Sequence, residues 1–262
     1  MLDALPRIVV ALVRTSLLVT LQYRSDFLLA TLTGVVRAAT LCVPLVLVFG
    51  QRSAVGGWSE ADALLVMGFY LILVGYQGVL LEPNLGVAVD LIRTGSFDLV
   101  LTKPVDAQLQ VSLRKLDLAE IWPVVGGVGL VGWALAHRPA PSFADAAIGA
   151  LMFVCGLAAV YGLWILALCS CFFFVRVDNL RFLLVAVTDA GRWPMSFFAG
   201  WVRWVLTLVV PVAIVTSFPA TSLRGEWTAG FVATGVAVAA GFVIGSRLAW
   251  RWSVARYSSA SS

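Results

Sequence analysis

The residue types that most often carry chemistry are scarce in this chain, and each stands without the neighbours its chemistry needs. Lys103 and Lys115 are the only lysines in 262 residues, and neither closes a G-x-x-x-x-G-K-[ST] run, so the loop that cradles nucleotide phosphates is missing. The single histidine, His137, has no G-x-S-x-G serine elbow or H-E-x-x-H partner to join it in a nucleophile pair or a zinc site. Cys42, Cys155, Cys169 and Cys171 fall inside apolar runs, where a thiol acts as a small apolar group, and none stands at metal-ligand spacing from His137. No catalytic residue, no metal and no cofactor of its own is expected of this chain.

Two other sets of residues remain. Arg37 lies halfway along an apolar run, and Arg176, Asp178, Arg181 and Asp189 interrupt a later one. Ionisable groups in such places are either structural, paired inside a helix bundle, or they line and gate a pathway. The second set is the stretch "VAVDLIRTGSFDLVLTKPVD" from Val87 to Asp106. Leu85, Ala88, Val89 and Ile92 recur at helical spacing, Asp90, Arg93 and Thr94 fall elsewhere on the wheel, and Gly95 is a natural helix stop. The following "SFDLVLTKP" is a second compact piece that ends where Pro104 pushes Lys103 out of helical geometry. This stretch reads either as a loop helix resting on lipid headgroups or as a rigid docking element for a soluble partner.

The elements that must position these residues follow from hydropathy. The chain is 61% hydrophobic and only 12% charged, against about 25% charged residues in a soluble domain. Mean hydropathy is +0.96. An all-α integral membrane protein is expected, forming one membrane domain over 1–262 with no soluble catalytic domain and no nucleic-acid partner. Runs able to cross a hydrocarbon core of about 30 Å lie at Phe27 to Phe49, Ala61 to Leu81, Leu118 to Ala136, Ala144 to Cys171, Met195 to Phe218 and Thr228 to Trp250, giving six transmembrane helices. Arg7, Arg14 and Arg24 precede the first run, Arg93, Lys103, Arg114 and Lys115 follow the second, and Arg247, Arg251 and Arg256 end the last. The positive-inside rule then predicts cytoplasmic N- and C-termini and a cytoplasmic 83–115 loop. Arg14 interrupts the apolar start and no small-residue cleavage site follows it, so no signal peptide is expected. Leu5 to Tyr23 instead has the pattern of a helix lying on the membrane surface. The region of Arg176 to Pro219 admits two topologies. Residues 172–193 are an interfacial linker before a span at Met195 to Phe218, or a short helix spans Asp178 to Trp193 and the segment from Pro194 to Pro219 re-enters the outer leaflet.

On these motifs the chain resembles the ABC-2 type permease subunits of bacterial ABC exporters, specifically the small six-helix group encoded with a second permease and a separate ATPase. The pieces that carry the resemblance are "YRSDF", "GWSEADALLVMGFY", "IRTGSFDLVLTKPV", "RWPMSFFAGWVRWVLTLVVPVAIVTSFPA" and "RYSSASS", in that order along nearly the whole chain. The resemblance implies that 1–26 form an interfacial connecting helix and elbow, and that 83–115 hold a coupling helix seated in a groove of the ATPase. It implies docking by Asp90, Ile92, Arg93, Gly95, Phe97, Asp98, Leu99, Lys103 and Pro104, and a pathway or gating place for the charges at Arg176 to Asp189. It favours the re-entrant topology, bounded by Pro194, Pro211 and Pro219. It further implies an inner-membrane complex with a second permease, homologous or identical, and two copies of a cytoplasmic ATPase that binds ATP and Mg. Cargo would pass outward; the aromatic outer segment of Trp193, Phe197, Phe198, Trp201 and Trp204 either suits an amphipathic or apolar cargo or is a set of ordinary interfacial anchors. An ion-coupled secondary carrier, or a membrane scaffold or sensor that binds an ATPase, are the alternatives.

Overall fold

Apolar runs of this length satisfy their backbone N–H and C=O groups in hydrocarbon only by folding into helices. The computed structural model describes residues 10, 13–18, 24–52, 54–173 and 180–257. Helix α1 (Arg24–Phe49) leads to a hairpin of two short strands, β1 (Ala54–Val55) and β2 (Trp58–Ser59). Its two-residue turn takes φ 56° at Gly56 and 81° at Gly57, a left-handed pair that glycine adopts without strain. α2 (Glu60–Tyr76) opens on a reciprocal cap, in which Asp62 N–H donates to Ser59 Oγ (3.2 Å) and the Asp62 carboxylate accepts from Ser59 N–H (3.4 Å). It continues through one π-helical turn, Gln77–Leu81, directly into α3 (Glu82–Arg93).

After α3 come the short α4 (Asp98–Leu101) and α5 (Ala107–Ser112), then a 3₁₀ turn, Leu118–Ile121, that opens α6 (Trp122–Ala136). α7 (Phe143–Ser170) is followed by α8 (Leu180–Thr188) and a 3₁₀ turn, Asp189–Arg192. A further 3₁₀ turn, Met195–Phe197, precedes α9 (Gly200–Trp204), which is extended by a π-helical turn, Val205–Val209. α10 (Val212–Leu223) and α11 (Ala229–Ala255) complete the fold.

Among the described residues, five helices are long and apolar enough to cross a membrane: Phe27–Phe49, Glu60–Arg93, Leu118–Ala136, Phe143–Ser170 and Ala229–Ala255. A sixth exists only if the pair Gly200–Val209 and Val212–Leu223, bent by 106°, counts as one span. A straight fifth span from Met195 to Phe218 is therefore corrected to two short helices meeting at an angle. The reason is local: Pro211 has no N–H to continue the ladder, and Val210 before it is extended at φ −120° and ψ 94°. Pro194 likewise follows an extended Trp193, and Pro219 lies inside α10. The second span also differs from expectation, because it does not stop at Leu81 but runs 34 residues to Arg93. At 1.5 Å per residue that is about 50 Å, well beyond a hydrocarbon core of about 30 Å. The expected surface helix from Leu5 to Tyr23 falls mostly outside the described residues, though 13–18 within it are helical.

Bare glycine surfaces let the helices meet. A Cβ on Gly127 of α6 would lie 2.5 Å from the Gly68 carbonyl oxygen of α2, and one on Gly156 of α7 would lie 2.5 Å from the Val215 backbone of α10. Gly162 of α7 meets the Phe242 backbone of α11 in the same way. α7 is thus the strut between α10 and α11, while α2 pairs with α6. α1 is peripheral, with Leu28, Leu29, Leu32, Val35, Val36 and Leu47 exposed along it.

Packing this close predicts a sharp position dependence. Gly156→Ala forces a methyl group into backbone and is expected to cost about 1–3 kcal/mol, seen as a lower thermal midpoint in detergent. Gly132→Ala, with nothing within 4 Å of its added Cβ, is expected to leave the midpoint unchanged or raise it. Equal midpoints for the two variants would contradict the packing.

Candidate functional site

The loop after α3 is built as a rigid handle. Gly95 turns the chain at φ 73°, and Phe97 N–H donates back to the Leu91 carbonyl (3.0 Å), folding α4 against the end of α3. Phe97 is 0% exposed. Its ring stands edge-on to Phe172 (5.4 Å), Trp250 (6.0 Å) and Tyr257 (5.4 Å), so the handle is nailed to the ends of α7 and α11. Each such aromatic pair contributes about 0.5–1.5 kcal/mol beyond its buried area.

The predicted docking residues therefore divide. Phe97 faces inward and presents no surface to a partner, because an apolar ring of that size gains more from the aromatic box than it would from headgroups or water. Leu99, two residues on, is 68% exposed, and Leu101 is exposed beside it. Asp90 and Arg93 are exposed and pair with each other at 3.3 Å. Lys103 and Pro104 are exposed, while Ile92, Gly95 and Asp98 are half-buried. The outer side of the handle is thus an apolar knob with charges of both signs around it.

A set of polar contacts that sequence reasoning missed ties the handle to the bundle. Asn84 Oδ1 accepts from the Arg114 and Lys115 N–H groups, both at 2.9 Å, and its Nδ2 donates to the Lys115 carbonyl at 2.8 Å. Asp106 caps α5 by accepting from Leu109 N–H (3.1 Å), and it also accepts a forked pair of hydrogen bonds from Arg247 of α11. The same guanidinium reaches Gln108 Oε1 (2.9 Å), and Gln108 and Ser112 both meet the Tyr161 hydroxyl of α7. The Arg247 guanidinium holds the Asp106 carboxyl below its ordinary range, with the α5 backbone adding to the shift. Asp106, two residues after Pro104 and just ahead of a short helix, carries a capping signal in the sequence; its partner 141 residues away does not.

The residues expected at a pathway do not converge on one point. The Tyr70 hydroxyl of α2 donates to Asp189 Oδ1 at 2.6 Å, and the buried Gln77 and Thr188 side chains meet at 3.3 Å one turn or two further along. Arg37 is exposed on α1, and Arg192 Nε is buried with no acceptor among the described residues. This is a polar seam between α2 and the turn after α8. Arg181, at the other end of α8, pairs instead with Glu82 at 2.5 Å, at the start of α3. Arg176 and Asp178 lie outside the described residues.

Comparison with known proteins adds one finding. The sequence model of a family described as "ABC-2 family transporter protein" matches residues 35–261. No curated protein and no solved structure matches the chain.

The handle yields two expectations. Phe97→Ala should destabilise the chain by about 3–5 kcal/mol, whereas Leu99→Ala should change stability by less than about 0.5 kcal/mol, as read by thermal unfolding in detergent. The Asp106–Arg247 pair should stabilise fully above about pH 4 and be lost as the pH falls through the lowered Asp106 value. Asp106→Asn should then flatten the fall in thermal midpoint between about pH 5 and pH 3; parallel pH profiles would show that the pair contributes nothing.

Proposed function

Because the chain belongs to the ABC-2 family of transporter proteins and carries a membrane helix that continues into an exposed handle, we propose that it is the transmembrane subunit of an ATP-driven exporter. It is a non-catalytic chain of the inner membrane, with cytoplasmic termini. With a second permease, identical or homologous, it encloses the substrate path, while two copies of a separate cytoplasmic ATPase bind ATP and Mg beneath the pair. The observation that carries this reading is the continuity of Glu60–Arg93, 34 residues from the start of a span to the tip of the handle.

In this reading Leu99 and Leu101 form the knob that enters a groove of the ATPase, and Asp90, Arg93 and Lys103 set its orientation. Closure of the ATPases on ATP displaces the handle. A helix without a break passes that displacement to α2 and α3 directly, and the Asp106–Arg247 pair passes it to α11. The element free to answer is the α8–α10 segment, whose short helices have no continuous ladder across the membrane and re-enter it between Pro194 and Pro219. The Tyr70–Asp189 contact holds that segment against α2 in one state, and its loss opens the path in the other. A partner can drive such a change only if it binds the two states differently, so alterations on the outer side of the handle should affect turnover more than folding.

Co-expression with a separate ABC ATPase from the same genome tests the reading. Leu99→Glu and Lys103→Glu are expected to lower recovery of the complex, or its substrate-stimulated ATP hydrolysis, by about tenfold or more. The thermal midpoint of the isolated chain should stay unchanged in both variants. Undiminished assembly and hydrolysis in both would sink the docking assignment.

A further inference from the structure

At the end of the bundle opposite the handle is a cleft of about 570 Å³, walled by the hairpin tip, the Met195–Ser196 turn and the facing sides of α9, α10 and α11. That volume lies in the range of small-molecule pockets, about 300–1,000 Å³. Its apolar lining joins the aromatic Trp58, Trp204, Phe218 and Phe231 to Met195 and Leu208. Its charged groups are Arg203, Arg224 and Glu226.

The two arginines differ in one decisive respect. Arg224 is fully engaged: it pairs with Glu226 at 2.7 Å and with Asp62 at 3.8 Å, donates to the Gly57 carbonyl at 3.0 Å and lies 4.4 Å over the Trp58 ring. That pairing also cancels the charge of Glu226. Arg203 has no carboxylate within ion-pair distance among the described residues, and its side chain donates only to the Phe198 carbonyl, at 3.4 Å. It is the fourth residue of α9, in a sequence that also carries the exposed Trp201 and Trp204. Arg203 is itself exposed, so its planar fork is open to the phosphate or carboxylate that matches it.

We propose that this cleft binds an anionic amphiphile, with its acidic head on Arg203 and its apolar body laid against Trp204 and the stacked Phe218–Phe231 pair. An anionic lipid of the surrounding bilayer and a free amphiphilic acid share this chemistry. The assignment needs nothing from the ATPase, since it concerns the isolated chain.

The test uses the purified full chain in phosphatidylcholine nanodiscs, with dansyl-labelled undecanoic acid as probe and its methyl ester as the neutral control. Binding is read by energy transfer from tryptophan, over the signal of empty discs. The acid should bind about tenfold or more tightly than the ester, the difference expected for one charge-assisted contact. Arg203→Ala should bring the acid down to the level of the ester, and Arg203→Lys should keep part of the preference. Thr234→Trp, which fills the cleft from α11, should abolish both. In discs of equal parts phosphatidylcholine and phosphatidylglycerol, loss of the acid signal would assign the site to bilayer lipid, and an unchanged signal would assign it to a free amphiphile. Equal affinity for acid and ester, or unaltered acid binding by Arg203→Ala, would overturn the proposal.

Discussion

The architecture depends on how the chain carries a helix past Pro83. A proline at that place lacks the N–H that would bond the Val79 carbonyl, and its ring crowds the preceding turn, which ordinarily ends or kinks a helix. Two features remove the difficulty. The turn before it, Gln77–Leu81, is π-helical, with Glu82 N–H bonding the Gln77 carbonyl, so the ring meets a widened turn. The freed Val79 carbonyl then accepts from Asp117 N–H at 3.0 Å, a donor that comes from the far side of the handle. One hydrogen bond thus keeps a long helix whole and brings the chain back to begin the next span.

From that point the handle is fixed by opposite kinds of contact on its two flanks. Asn84 holds the return strand of the loop through backbone groups, and Phe97 fills an aromatic box made by α7 and α11. Asp106 and Arg247 add a charged tie to α11 at the margin of the box. Three helices that are distant in sequence therefore end on one small body. A force applied to that body is shared among them, which a loop resting on headgroups could not achieve.

Much of this was legible in the residues, for definite reasons. Long apolar runs placed α1, α6, α7 and α11 to within five residues at each end, because an apolar run in hydrocarbon satisfies its own backbone as a helix. Pro211 marked the place where a straight fifth span fails. The direction in which Phe97 points was not legible: "SFDLVL" is too short for its periodicity to separate an inward ring from an outward one, and the box partners lie about 75 to 160 residues away. Continuity across Pro83 was hidden for a related reason, since a proline after an apolar run reads as the start of a new helix, and only Asp117 reveals otherwise. Nor could the Arg247–Asp106 pair be found without the fold, as both residues look like ordinary headgroup-zone charges.

The π-helical turn at Gln77–Leu81 has a geometric consequence for the whole lever. One residue added to a turn rotates everything beyond it by about 100° relative to a regular helix. Residues before Tyr76 and after Glu82 therefore belong to two different helical wheels, joined end to end on one axis. The bearing of Asp90 and Arg93 about that axis is set by this offset and not by the face that α2 buries in the bundle. The azimuth of the handle's exposed side is, in effect, written into five residues in the middle of the membrane helix.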